Sequence, residues 1–358
     1  MLEPVRTPRS ARPGATFDLP YAPGWFDRLT DWIDRLPGPD LAYAIGLLVI
    51  QFGYVTGLLW LDGKLPVGAV DLRLVFVVVV TPYLLWIRFH LDRVAAEAMD
   101  AFRPALAIGD SEFLRLRYEL TTLPARTTRI VTSVAVVAFL LNASFVRGSM
   151  LRQFGSSPMI DLIVIGPVGL FTVAVVAVST AQAIHQLRMV VRIHQLVAKV
   201  PLLRAKPLHA FSRLTARTGA SFLLLMYYVA AVRPDLVAAS RALEALLVAM
   251  IPTAVACFVI PLRGMHRRLA AEKDHALADV AARLEAVFER LHGRVDRDDV
   301  ADADKLNMQI TSLTTERQVV AAASTWPWEP ATVTGFLTTL VLPGLLWGAQ
   351  HLLERLGF

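Results

Sequence analysis

The chain has a single cysteine in 358 residues, Cys257, and it lies inside an apolar stretch. No disulfide framework can be built from it, and a thiol in that setting behaves as a small hydrophobe. Ionised side chains are just as scarce within the long apolar runs. Asp, Glu, Lys and Arg are missing from their interiors, with Arg88, Asp161 and Glu244 close to the ends. Transporters coupled to protons or cations usually place an ionisable group at the bilayer midplane, so that class is disfavoured.

Catalytic and metal-binding signatures are missing too. His185 and His194 are nine residues apart, as are His266 and His275, which puts each pair on opposite faces of a helix instead of on one metal. The aspartates from Asp296 to Asp304 suggest a calcium loop, but Val300 and Asn307 stand where ligands are needed. Gly57 to Lys64 has the wrong spacing for a phosphate loop, and no Ser, His and acid cluster suggests a nucleophile. The expectation is a protein that is not an enzyme and holds neither metal nor cofactor.

What the chain has in abundance is hydrophobicity. It is 55% apolar with a mean hydropathy of +0.51, which would leave a water-soluble protein coated in apolar surface, so it belongs in lipid. The formal charge of +6 would suit a nucleic-acid partner. Basic residues crowded between apolar spans have a commoner cause in the positive-inside rule, and no nucleic acid is expected.

Seven apolar segments approach the roughly 20 residues a helix needs to cross hydrocarbon. They run over residues 41–61, 74–89, 130–146, 160–184, 218–232, 243–262 and 331–352. The fifth is the weakest, being short and bounded by Arg217 and Arg233, whose side chains can snorkel to the interfaces. Counted between spans, Lys and Arg alternate between rich and poor segments, twenty-nine on one side against seven on the other. That alternation predicts an all-α polytopic protein of seven transmembrane helices with the N-terminus cytosolic and the C-terminus outside. Arginine is strongly preferred over lysine and alanine and valine are abundant, the usage of a GC-rich bacterial genome, so the expected location is the plasma (inner) membrane.

Around these spans the organisation is as follows. Residues 1–24 are rich in Pro and Arg without an apolar core and are expected to form a disordered cytosolic tail. Residues 25–40 read as an amphipathic helix lying in the interface, with Trp25 and Trp32 as anchors. The alternative for that helix is packing on the cytosolic hairpin. Segments 91–129 and 185–217 continue spans as cytosolic helical extensions. The largest polar block, 263–325, carries Leu277, Val280, Leu284, Val287 and Leu291 and then Ala303, Leu306, Ile310 and Leu313 at steps of three and four. Such a seam predicts an antiparallel helical hairpin standing on the membrane. Together the extensions form a cytosolic helical bundle, and residues 326–358 make the last span and a short outside tail.

Local motifs refine this outline. Gly46, Gly53 and Gly57 share a face of span 1, and Gly344 and Gly348 repeat the G-x-x-x-G spacing in span 7, which lets helices approach closely. Contacts within the chain are the first expectation, and a second copy is the other. Thr332, Thr339 and Gln350 line up on the opposite face of span 7 as candidates to line a path, while threonine can also bond its own helix. Pro343-Gly344 would serve as a hinge. Trp326 and Trp328 should anchor the junction at the cytosolic headgroups, with Pro330 in the first turn of span 7. Leu123-Pro-Ala-Arg-Thr before span 3 echoes Leu214-Thr-Ala-Arg-Thr before span 5.

Seven spans, a cytosolic N-terminus and a helical cytosolic anchor resemble the insect odorant and gustatory receptors, a class of ligand-gated channels. The resemblance lies in topology alone, so no residue is carried over. The functional expectation is an oligomeric ion channel or ligand-responsive membrane sensor with span 7 near the path. The alternative is a non-conducting scaffold whose hairpin at 263–325 binds a cytosolic partner. Either way the partners are the bilayer and further copies of the chain.

Overall fold

The computed structural model describes residues 19–71, 74–146, 165–196, 207, 209–232, 241–296 and 303–355. Among them the chain is all helical, with no β-strand. The helices are α1 (Trp25–Asp34), α2 (Asp40–Leu61), α3 (Leu74–Phe102), α4 (Asp110–Thr121) and α5 (Ala125–Val146). They continue with α6 (Leu170–Gln195), α7 (Ala210–Val232), α8 (Arg241–Val295), α9 (Ala303–Ala322) and α10 (Pro330–Arg355). A 3₁₀ turn at Arg103–Ala105 ends α3 where Pro104 cannot continue the helix, and a π-helical turn at Ile165–Gly169 leads into α6.

The described residues of each of the seven apolar segments are helical, the fourth from Ile165 onward. Among the described residues four helices are long and apolar enough to cross a membrane, Asp40–Leu61, Pro167–Gln195, Ala210–Ala231 and Leu247–Val295, and a shorter apolar helix covers Pro330–Leu342. The four correspond to the expected spans 1, 4, 5 and 6, so the weak fifth segment is among those that qualify.

Outer faces of the apolar helices carry large apolar side chains in the open: Ile45, Val49 and Ile50 on α2, Val134, Val137 and Leu141 on α5, Leu337, Val341 and Leu345 on α10. Such a girdle is unfavourable in water and at home in hydrocarbon.

Inside, α3 packs against α2, α6 and α7, while α7 also carries α8 and α10, and α5 lies along α6. The largest cluster gathers Phe89, Met99, Phe102, Leu120, Ile193, Phe211 and Leu262 at the polar end of the bundle. A second joins α7, α8 and α10 through Leu223, Ala254, Phe258 and Phe336, and a third holds α2 to α3 through Val55, Leu74 and Val78. Gly219 is essential to the second: a Cβ there would sit 2.7 Å from the Ala254 carbonyl oxygen and 2.9 Å from the Phe336 ring.

The hairpin forms with the seam its spacing predicts. Val280 and Val287 on α8 and Leu306 on α9 are buried, with Leu277, Leu284, Leu291, Ile310 and Leu313 partly covered, and Val320, which the spacing did not single out, is buried too. Its first arm is no separate element, because α8 runs as one 55-residue helix from the expected span 6 into the hairpin. At 1.5 Å per residue that is about 80 Å, more than twice the hydrocarbon thickness. Gly293, within the expected break, is still helical.

The N-terminal region differs from expectation for a tertiary reason. Residues 19–24, grouped with the tail by composition, run beside 122–125 through Gly24 N–H to the Leu123 carbonyl at 3.2 Å and Ala125 N–H to the Ala22 carbonyl at 3.0 Å. Residues 1–18 lie outside the described residues. The apolar face of α1 is covered by protein, Phe26 being 1% and Ile33 7% exposed, while Trp32 stays exposed. The main helix contacts of α1 are with α2 and α5, and Arg88 of α3 bridges to its Asp27. The Leu123 and Leu214 echoes also play different parts, Leu123 preceding a helix and Leu214 lying within α7.

Candidate functional site

At the base of the hairpin, where α9 returns to the bundle and α10 begins, five rings stack in series. Phe336 lies 4.6 Å from Phe258, Phe258 5.3 Å from Trp328, Trp328 4.6 Å from Trp326, and Trp326 3.8 Å from His266, all within 27° of parallel. His266 Nδ1 is 2.9 Å from the Thr325 carbonyl, which fixes the imidazole against the first indole. The ladder crosses twice between α8 and the α9–α10 junction, so neither can turn without sliding rings past one another.

Polar ties reinforce it. Lys273 Nζ donates to the Ala321 and Ala323 carbonyls at 2.6 and 2.9 Å, a cation at the negative end of α9. Arg213 of α7 lies 3.5 Å from Glu329, and the Tyr227 hydroxyl donates to the Leu340 carbonyl at 2.7 Å. These ties hold α7 to α10 at two heights, and the ladder holds α8 to both the junction and α10. Pro330 opens α10, as its fixed φ favours. Trp328 is half-buried in the ladder, while Trp326, stacked between His266 and Trp328, remains about half exposed.

The remaining sequence candidates are scattered. The Thr339 hydroxyl donates to the Gly335 carbonyl at 2.9 Å, and Thr332 reaches Glu329 at 3.5 Å, so these hydroxyls are spent locally. The side chains of Pro343, Gly344, Gly348 and Gln350 lie outside the described residues, and the α10 backbone is helical across them. Gly46, Gly53 and Gly57 meet no neighbour within 4 Å of a built Cβ, so the close contact expected within the chain is not made there. Trp25 does pack inside, its Nε1–H donating to Thr132 at 3.0 Å.

Sequence reasoning overlooked a second polar centre at the bundle's polar end. Arg88 of α3 is 4% exposed and bridges two carboxylates, Asp27 of α1 and, at 2.9 Å, Asp92 one turn on. Asp27 also accepts from Leu123 N–H at 3.1 Å, Asp92 accepts from Gln186 Nε2 at 2.7 Å, and Arg88 donates to the Thr121 carbonyl at 3.1 Å. Alongside, Glu119 holds Arg115 at 2.9 Å and Arg192 at 3.0 Å. Three carboxylates therefore meet three guanidinium groups at the meeting of α1, α3, α4 and α6. The i, i+4 spacing of Arg88 and Asp92 was a visible signal, but not the partner on α1.

Burial dominates the titration of this end. His194 sits edge-on between Phe102 at 5.5 Å and Phe211 at 5.4 Å, and desolvation first, with Arg268 adding to it, holds its pKa down at about 4. Burial likewise lowers His185, opposed by its bond to the Glu119 carbonyl at 2.7 Å. Among the described residues no group of three His, Cys, Asp or Glu side chains could hold a metal ion. No family model matches the chain, and neither a curated protein nor a solved structure is significantly similar to it.

Proposed function

We propose that the chain is a ligand-responsive membrane sensor in which the cytosolic hairpin reports the state of the transmembrane bundle. One observation carries the reading: α8 is a single helix that belongs both to the bundle and to the hairpin, so movement at either end is inherited by the other. The aromatic ladder adds α10 to that lever. In this reading the protein has seven spans in a bacterial plasma membrane, N-in and C-out, with the centre around Arg88 inside a cytosolic bundle and Trp326 at the headgroups. The self-bonded threonines of α10 favour a sensor over an ion channel lined by that helix.

Sidedness is tested by single cysteines in a Cys257→Ala background. Ser157→Cys and Gly357→Cys should react with an impermeant maleimide from outside, and Asp298→Cys only after the cells are opened; external reaction at Asp298→Cys sinks the topology. For the lever, spin labels at Met308 and Leu337 should give one narrow distance distribution that broadens when Trp326 and Trp328 are both alanine. A distribution unchanged by that double substitution would remove the coupling role.

A further inference from the structure

The hairpin has two faces of opposite charge. Between its arms runs an open groove of about 890 Å³, floored by Val287 and Leu313 and edged by Arg283, Arg290, Lys305 and Met308. Asp279 is the acid among its lining residues and pairs with Arg283 at 3.7 Å. The back of the same arm of α8 presents Asp274, Glu285 and Glu289 around an exposed Phe288, with exposed Ala278 and Ala281 between them. At 3.6 residues per turn the two faces are centred roughly 140° apart.

We infer that hairpins of neighbouring copies dock front to back, the acidic Phe288 face of one in the basic groove of the next, closing a ring of identical subunits about the membrane normal. The inference rests on the proposed function only in needing a hairpin that stands off a bilayer. Copies inserted with one orientation in one membrane meet at equal height. The acids at 274–289 and the groove residues at 279–290 occupy the same stretch of one helix, so the faces meet without vertical slip.

Phe288 and Met308, the latter 70% exposed, supply the apolar contact at the centre, and methionine adapts its shape to what it meets. The charges set which face meets which. A two-fold pairing of like faces would oppose acid to acid or base to base, which the charges penalise. A front-to-back contact is heterologous, and repeated about the membrane normal it forms a ring when its rotation is a whole fraction of a full turn. Because the pairing charges are exposed, the ring should loosen with salt.

The test uses the full chain with Cys257→Ala in its native membrane. Glu285→Cys combined with Met308→Cys should oxidise to a ladder of covalent species larger than dimers, while each substitution alone stays monomeric on a non-reducing gel. Dimers from a single substitution would mean a two-fold contact, and no ladder would mean no such contact; either overturns the inference. In mild detergent, Arg283→Glu with Arg290→Glu should reduce the mass to that of one chain, and adding Glu285→Arg with Glu289→Arg should restore it. A mass indifferent to both sets also overturns it, as does a monomeric parent chain. All these positions are exposed, and unchanged helix content by circular dichroism checks the fold. Maleimide labelling at Asp298→Cys is blind to subunit contacts, so a failed ring and a failed topology give separate results.

Discussion

The polar end of the bundle and the hairpin handle charge in opposite ways. Around Arg88 the ionised groups are enclosed, with 4% of the arginine and 9% of the Asp27 side chain exposed, and each carboxylate accepts further hydrogen bonds. In the hairpin the comparable pair, Asp279 with Arg283, is about 60% exposed on both sides and 3.7 Å apart. An enclosed pair is costly to break because the survivor stays buried, whereas an exposed pair leaves its survivor in water. The bundle's end is therefore a rigid base that pins α1, α3, α4 and α6 together. The hairpin is an arm whose outer surface can change partners at little cost.

The comparison breaks first at Arg88. Arg88→Ala strands Asp27 and Asp92 in the interior and should cost about 3–5 kcal/mol of stability, read as a large fall in the unfolding temperature of the purified protein. A fall equivalent to less than about 1 kcal/mol would mean that the centre is open to water and the contrast false.

Nearly as large is the expected effect of acid through His194. Its pKa is lowered from 6.5 to about 4 in the folded protein, so between those values the unfolded chain binds the extra proton. Stability is then intact above pH 6.5 and falls as pH drops towards 4, by about 3 kcal/mol in all. His194→Gln should flatten that slope, and a wild-type protein equally stable at pH 7 and pH 4.5 would show that the ring is hydrated.

Smaller is the clamp between base and arm. Trp326→Ala removes two stacking partners and should cost about 1–2 kcal/mol, with the loss concentrated in faster amide exchange of α9 near Ala321. Exchange that speeds up equally throughout the bundle would contradict a local clamp. At the bottom of the scale, Asp279→Asn should change stability by less than about 0.5 kcal/mol, and a change comparable to that of Arg88→Ala would erase the distinction between the two regions.

Much of this architecture was legible in the residues alone. The apolar segments at 41–61, 74–89 and 130–146 fall on helices beginning at Asp40, Leu74 and Ala125, and four of the seven expected spans coincide with described helices that are long and apolar enough to cross a membrane. The hairpin seam at Val280, Val287 and Leu306 was likewise visible, and so was Pro330 at the head of α10. Hydropathy, side-chain period and proline's fixed φ act within a few residues, which is why a linear string reveals them.

The partners were decided elsewhere. Nothing local in Asp27 says that it meets a guanidinium 61 positions away, or that Trp326 and Trp328 belong to a ladder running from Phe336 to His266. The glycines divide in the same way: Gly219 is held against Ala254, while the equally suggestive Gly53 and Gly57 face open space. By itself the sequence determined which stretches are helical and which faces are apolar, because helix formation and transfer to lipid are local free energies. Only the tertiary structure decided which charge neutralises which and where helices touch, because those energies depend on distances set by the whole chain at once.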